Sequence, residues 1–205
     1  NYSITKIAGT LTVNKANSVC PILTPYNGTY DGNAHGITLS GSSGGTIQYR
    51  TSTTGTWSNA KPTITNVGSI TTYVQVLGDG NHNTVDCGSE TATVSTKSLS
   101  LGTHSATYNG TTSYSRTFST GVGSQTVTLT YKPNAKNAGS YTYATSAGSG
   151  KYTVTMANGT GTASNYSIGS SGTFTINKAE LAVSAYSTNW VSGATTYARS
   201  GYSTG

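Results

Sequence analysis

Carboxylates are scarce in this chain. It has five Asp and Glu in 205 residues, namely Asp31, Asp79, Asp86, Glu90 and Glu180. None falls between residues 98 and 179. That stretch lacks the paired acids of glycoside hydrolysis, the acid that orients a Ser-His triad, and the hard oxygen ligands that Ca²⁺ prefers. The 11 Lys and Arg leave a net charge of +6. They are spread along the chain without the cluster that tracks phosphates, so no nucleic-acid partner is expected. No run approaches the 18 or so apolar residues of a membrane span, and none is expected. His35, His82 and His104 stand alone, without the spacing of a zinc site. No phosphate-cradling glycine loop occurs. The expectation is a chain with no cofactor and no enzymatic activity.

Cysteine is nearly absent too. Cys20 and Cys87 are the only two, both in the first half. A bridge between them would close a loop of 87 − 20 = 67 residues, worth roughly 4 kcal/mol in the chain-entropy model. It fits an arrangement in which the first and last strands of a sandwich run side by side. Two unpaired thiols are the alternative. A bridge would point to an oxidising, extracellular compartment.

What the chain does have is repetition. Asn1-Tyr2-Ser3-Ile4 is followed by GTLTVNKA at residues 9–16. Asn165-Tyr166-Ser167-Ile168 is followed by GTFTINKA at residues 172–179. A blurred third ending, TVSTKS, occupies residues 93–98. Lys15, Lys97 and Lys178 close the three copies, at separations of 97 − 15 = 82 and 178 − 97 = 81. YNGTYDG at Tyr26 and YNGTTSY at Tyr108 are again 108 − 26 = 82 apart. A fixed period marks an array of similar units. Residues 1–15 read as the closing strand of a preceding repeat. Residues 16–97 and 98–179 read as complete repeats, and 180–205 as the start of another. The sequence opens in mid-motif without Met and reads as a window on a longer protein.

The runs inside each repeat alternate with period 2. Val74 and Val76 alternate with Tyr73, Gln75 and Leu77, and Val127, Leu129 and Tyr131 alternate with Thr. Such alternation, bounded by Asn-Gly and Asp-Gly turns, marks half-buried strands. Helical periodicity is missing. The 15 Tyr oppose a disordered reading of a Gly/Ser-rich chain. The expected fold is all-β, as tandem Ig-like Greek-key β-sandwiches. Pro62, Asn66, Gly68 and Ser69 match Pro133, Asn137, Gly139 and Ser140 at an offset of 133 − 62 = 71, so the repeats differ in length inside. The motif precedes a strand expected at residues 71–77 in one repeat and 141–145 in the other.

The order of these motifs resembles bacterial Ig-like surface repeats. YDGNAHG at residues 30–36, YRTSTTGTWS at 49–58 and PTITNVGSITTYVQV at 62–76 resemble the type called MBG. ATYNGTTSY at 106–114, NAGSYTY at 137–143 and ASNYSI at 163–168 are similar to YDG repeats, with Asn109 where that family usually has Asp. The resemblance covers nearly all of residues 1–180. It implies an extracellular or bacterial cell-surface location and a structural role as a stalk or adhesin module. The partners implied are neighbouring repeats of the same chain. It carries no catalytic residues.

Three further readings compete with turns and core packing. Asp79, Asn81, Asn83 and Glu90 fall at the spacing of EF-hand Ca²⁺ ligands, but Thr84 replaces the required Gly and no helices flank them. The same residues suit a polar hairpin turn. Trp57, with Trp190 and several tyrosines, offers a platform for a glycan or a host surface protein, although core packing uses the same ring. Finally, the loose closing strand at 1–15 would permit self-assembly into filaments by strand complementation.

Overall fold

The structure is a computed structural model that describes residues 1–169, 171–185 and 202–204. The fold is all-β. Among the described residues there is no α-helix, only a 3₁₀ turn at Ala163–Asn165. No helix among them is long and apolar enough to cross a membrane. The chain forms two compact units. The first comprises Asn1–Leu99, Ser119–Val127 and Asn158–Ser167, and the second Ser100–Phe118, Thr128–Ala157 and Ile168–Gly205.

The first unit holds β1 (Ala16–Asn17), β2 (Ile22–Thr24), β3 (Tyr26–Thr29), β4 (Thr38–Ser40), β5 (Thr46–Arg50), β6 (Gly68–Leu77), β7 (His82–Asn83), β8 (Val85–Ser95) and β9 (Lys97–Leu99). Its main sheet has the order β3-β8-β6-β5, with β2-β4 and β1-β7 as separate pairs. The alternation in β6 is realised: Thr72, Val74 and Val76 are buried, while Leu77 is exposed. Ile37, Val74 and Ala92 form the core, flanked by Leu23, Tyr26, Ile47 and Cys87. β6 begins at Gly68, earlier than the expected residue 71. Gly68 has φ +146, which glycine adopts without a Cβ penalty, so the ladder runs on to the Gly68–Val94 pair.

One irregularity positions the cysteines. The β6–β8 register slips between Tyr73 and Gln75, which pair with Ser89 and Asp86. Two residues of β8, Cys87 and Gly88, thus face one of β6, as in a β-bulge. Gly88 supplies φ +79. Cys20 and Cys87 are bonded, with their Cα atoms 5.4 Å apart.

The second unit is built on β10 (Gly102–Thr107), β11 (Tyr114–Ser119), β12 (Thr126–Pro133), β13 (Gly139–Tyr143), β14 (Lys151–Asn158) and β16 (Gly172–Asn177). They form one sheet in the order β10-β16-β13-β14-β12-β11. Between β14 and β16 in sequence, β15 (Tyr166–Ile168) pairs with β9. β17 (Val183–Ala185) and β18 (Tyr202–Thr204) pair antiparallel. β13 starts and ends two residues before the expected 141–145, because Gly139, at φ +158, begins the ladder as Gly68 does. This unit has no cysteine and packs aromatic rings instead. Tyr131 stacks on Phe174 at 5.0 Å between centroids, with Tyr114 and Tyr152 beside them. The Tyr152 hydroxyl is buried without a partner, and burial pushes its pKa up to about 12.

Opening and closing strands pair in parallel in both units. β3 runs beside β8 from Tyr26–Ala92 to Thr29–Ser95. β10 runs beside β16 from Gly102–Gly172 to Thr107–Asn177. Each ladder ends with the same bond, Tyr30 N–H to Ser95 O and Tyr108 N–H to Asn177 O, both 2.8 Å. The structure therefore corrects the alignment of the repeats. Tyr30-Asp31-Gly32, not Tyr26-Asn27-Gly28, is the counterpart of Tyr108-Asn109-Gly110. Gly32 and Gly110 share a left-handed φ, +85 and +78. Asp31 and Asn109 each accept a bond from the backbone N–H two residues on.

Candidate functional site

The first unit contains a site that holds one of the repeated motifs, Asn165-Tyr166-Ser167-Ile168. Its geometry starts from a local turn. Asn158 Oδ1 accepts the Ala163 N–H at 2.8 Å, and Asn165 N–H bonds Thr162 O at 3.0 Å. This 3₁₀ turn carries Asn165 inward, where it is 1% exposed. Its Oδ1 accepts the Val67 N–H at 2.9 Å, and its Nδ2 donates to Asn66 Oδ1 at 2.9 Å. A buried amide is satisfied at both ends, as burial demands. The next three residues are β15, which lies beside β9 and its buried Leu99.

Tyr166 extends the grip. Its ring meets Tyr30 edge-on at 5.4 Å and 85°, and both rings are buried. Such aromatic pairs contribute about 0.5–1.5 kcal/mol beyond area burial. Both hydroxyls donate to Gln125 Oε1, Tyr166 at 2.7 Å and Tyr30 at 3.1 Å. Burial raises the pKa of Tyr166. Gln125 is fixed by its own turn, through Thr120 N–H to Gln125 O and Gln125 N–H to Val122 O. Gly32 is required here for two reasons: its φ is +85, and a Cβ would stand 2.9 Å from Val122 Cγ1. Beside it, Asp31 accepts from His35 at 2.8 Å and from Asn33, and these bonds hold its carboxyl well below the usual range. The contacts are neutral amides, hydroxyls and rings. They position segments and activate no nucleophile.

Of the residues singled out from sequence, only the cysteines meet. Asp79 caps its own turn, accepting from the N–H groups of Asn81 and His82 and from His82 Nδ1. Asn83 donates to Asn17. Glu90 lies across from Thr72, seven residues before Asp79 and roughly 20 Å away along the strand. Asp79, Asn81, Asn83 and Glu90 therefore cannot share one ion. Among the described residues no cluster of three His, Cys, Asp or Glu could hold a metal. Trp57 carries the Arg50 guanidinium over its ring at 4.2 Å, so one face is covered by a cation–π contact. Trp190 lies outside the described residues.

The chain matches no family model, no curated protein and no solved structure.

Sequence reasoning treated Asn165 and Tyr166 as repeat markers, not as site residues. The available signal was their identity across copies. Asn-Tyr-Ser-Ile is unchanged between residues 1–4 and 165–168, while the closing strands drift at Leu11 to Phe174 and Val13 to Ile176.

Proposed function

We propose that this chain is a non-catalytic spacer, a structural module of a bacterial cell-surface or secreted repeat protein. Its repeats are read as Ig-like Greek-key β-sandwiches of the MBG and YDG type, joined in series. One observation carries this reading. The repeat motif Asn165-Tyr166 is spent on clamping the loops at Asn66-Val67 and Tyr30, so the most invariant residues serve cohesion. Stacked repeats draw stability from such neighbour contacts. The disulfide between Cys20 and Cys87 supports an oxidising, extracellular setting.

The rival role, a glycan- or host-protein-binding adhesion module, would rely on Trp57. Arg50 already occupies one face of that ring. A broad glycan panel tests the choice. The expected result is no specific binding by the wild type or by Trp57→Ala. Binding of a defined glycan that disappears in Trp57→Ala would replace the spacer with an adhesion module.

A further inference from the structure

The second unit repeats the seat that Asn165–Ile168 fills in the first unit, but leaves it open. The matching bonds at Ser95 and Asn177 set the correspondence, 177 − 95 = 82. At that offset Leu99 corresponds to Leu181. Asn66-Val67-Gly68 corresponds to Asn137-Ala138-Gly139, each ending in a glycine of similar φ, +146 and +158. Tyr30 corresponds to Tyr108. In the first unit these positions are filled: Asn165 bonds Asn66 and Val67, Tyr166 packs on Tyr30, and Leu99 is 3% exposed. In the second unit Tyr108, Asn137, Ala138 and residues 178–181 line an open groove of about 450 Å³. Leu181 is 67% exposed there.

The same chain carries a second copy of the segment that fills such a seat. Asn1-Tyr2-Ser3-Ile4 is identical to Asn165-Tyr166-Ser167-Ile168. It belongs to no strand, and Tyr2 and Ile4 are exposed, whereas Tyr166 is buried. An exposed tyrosine and isoleucine beside an exposed leucine-lined groove gain by covering each other. We propose that the groove at Tyr108, Asn137, Ala138 and Leu181 binds residues 1–4 of a second copy of this chain. Asn1 takes the place of Asn165, accepting from the Ala138 N–H and donating to Asn137 Oδ1. The Tyr2 ring lies against Tyr108, and residues 3–4 run along 179–181 as β15 runs along β9. This contact joins two different surfaces, so it leaves a free seat and a free segment at the two ends and propagates head to tail. The proposal rests on the repeat reading above, because it takes the two seats to be equivalent.

Sedimentation of the full chain over a wide concentration range tests it with two exposed-site variants. One variant, Tyr2→Ala with Ile4→Ser, lacks the segment. The other, Asn137→Ala with Leu181→Ser, lacks the seat. The wild type is expected to grow beyond a dimer as concentration rises. Each variant alone should associate at least tenfold more weakly. An equal mixture of the two should form a dimer and stop, because one intact segment meets one intact seat. A wild type that stays monomeric throughout, or association that survives in both variants, overturns the contact. A monomer would leave the spacer reading intact, since that reading is judged by the glycan panel.

Discussion

Asn165→Ala is the sharpest perturbation of the first unit. The asparagine is 1% exposed and spends its side chain on two bonds of 2.9 Å. Its loss removes a net hydrogen bond to Asn66, whose exposed Oδ1 finds water instead, at about 1 kcal/mol. It also strands the Val67 N–H, which is half-buried, and an unmade bond of this kind costs about 1–3 kcal/mol. Taking the lower end for a half-buried group, the total is about 2 kcal/mol. Amide hydrogen exchange measures this locally. The Val67 N–H should exchange about thirtyfold faster in Asn165→Ala, since each 1.4 kcal/mol is a factor of ten. Amides of the second unit's aromatic core, such as that of Tyr131, should keep their rates. Urea unfolding should give the same loss from its midpoint with little change in slope. A Val67 rate within twofold of wild type would refute the clamp. So would equal acceleration at Val67 and Tyr131, which would mean general loosening instead of a local bond.

Two further expectations follow from the chemistry of the separate units. Replacing Cys20 and Cys87 by serine should destabilise the first unit by roughly 4 kcal/mol, from the 67-residue separation, and leave the second unit's melting unchanged; calorimetry resolves the two. Burial, and then the charge of Arg116, hold the His104 pKa below its ordinary value. The unfolded chain therefore takes up a proton near pH 6.5 that the fold refuses, so the second unit should lose stability as pH falls from about 7 toward 5. His104→Phe should flatten that dependence, read as Tm against pH.

The strands were legible because their signal is local. Val74 and Val76, or Val127, Leu129 and Tyr131, announce a buried face through period 2 alone, and Asn-Gly or Asp-Gly pairs announce the turns. Long-range partners leave no such trace. The parallel pairing of Tyr26–Thr29 with Ala92–Ser95 depends on segments more than sixty residues apart, so two plausible tyrosine alignments looked equal in sequence. The true one emerges only from where each ladder ends. Asn165 reads as an ordinary turn residue in a chain full of asparagine, and its burial depends on Asn66 and Val67 nearly a hundred residues away. The EF-hand spacing at Asp79 failed for the opposite reason. Sequence separation suggested a compact loop, whereas β8 runs back along β6 and carries Glu90 away from the turn.

The disulfide also decides which part of the first unit bears tension. A pull on the chain enters at Cys20, crosses the sulfur bridge to Cys87, and leaves along β8. The sixty-six residues between them, β3 through β6 included, are bypassed. While the bridge is intact they cannot lengthen the molecule, whatever happens to their hydrogen bonds. Cutting it would release 67 residue steps, roughly 230 Å of extended chain. The second unit has no such bypass. Its parallel β10–β16 pair lies directly in the line of load, and its six rungs from Gly102–Gly172 to Thr107–Asn177 must slide past one another together, not open one at a time. One unit is thus limited in extension by a covalent bond and the other by collective sliding of a sheet edge, two different answers to the same mechanical demand.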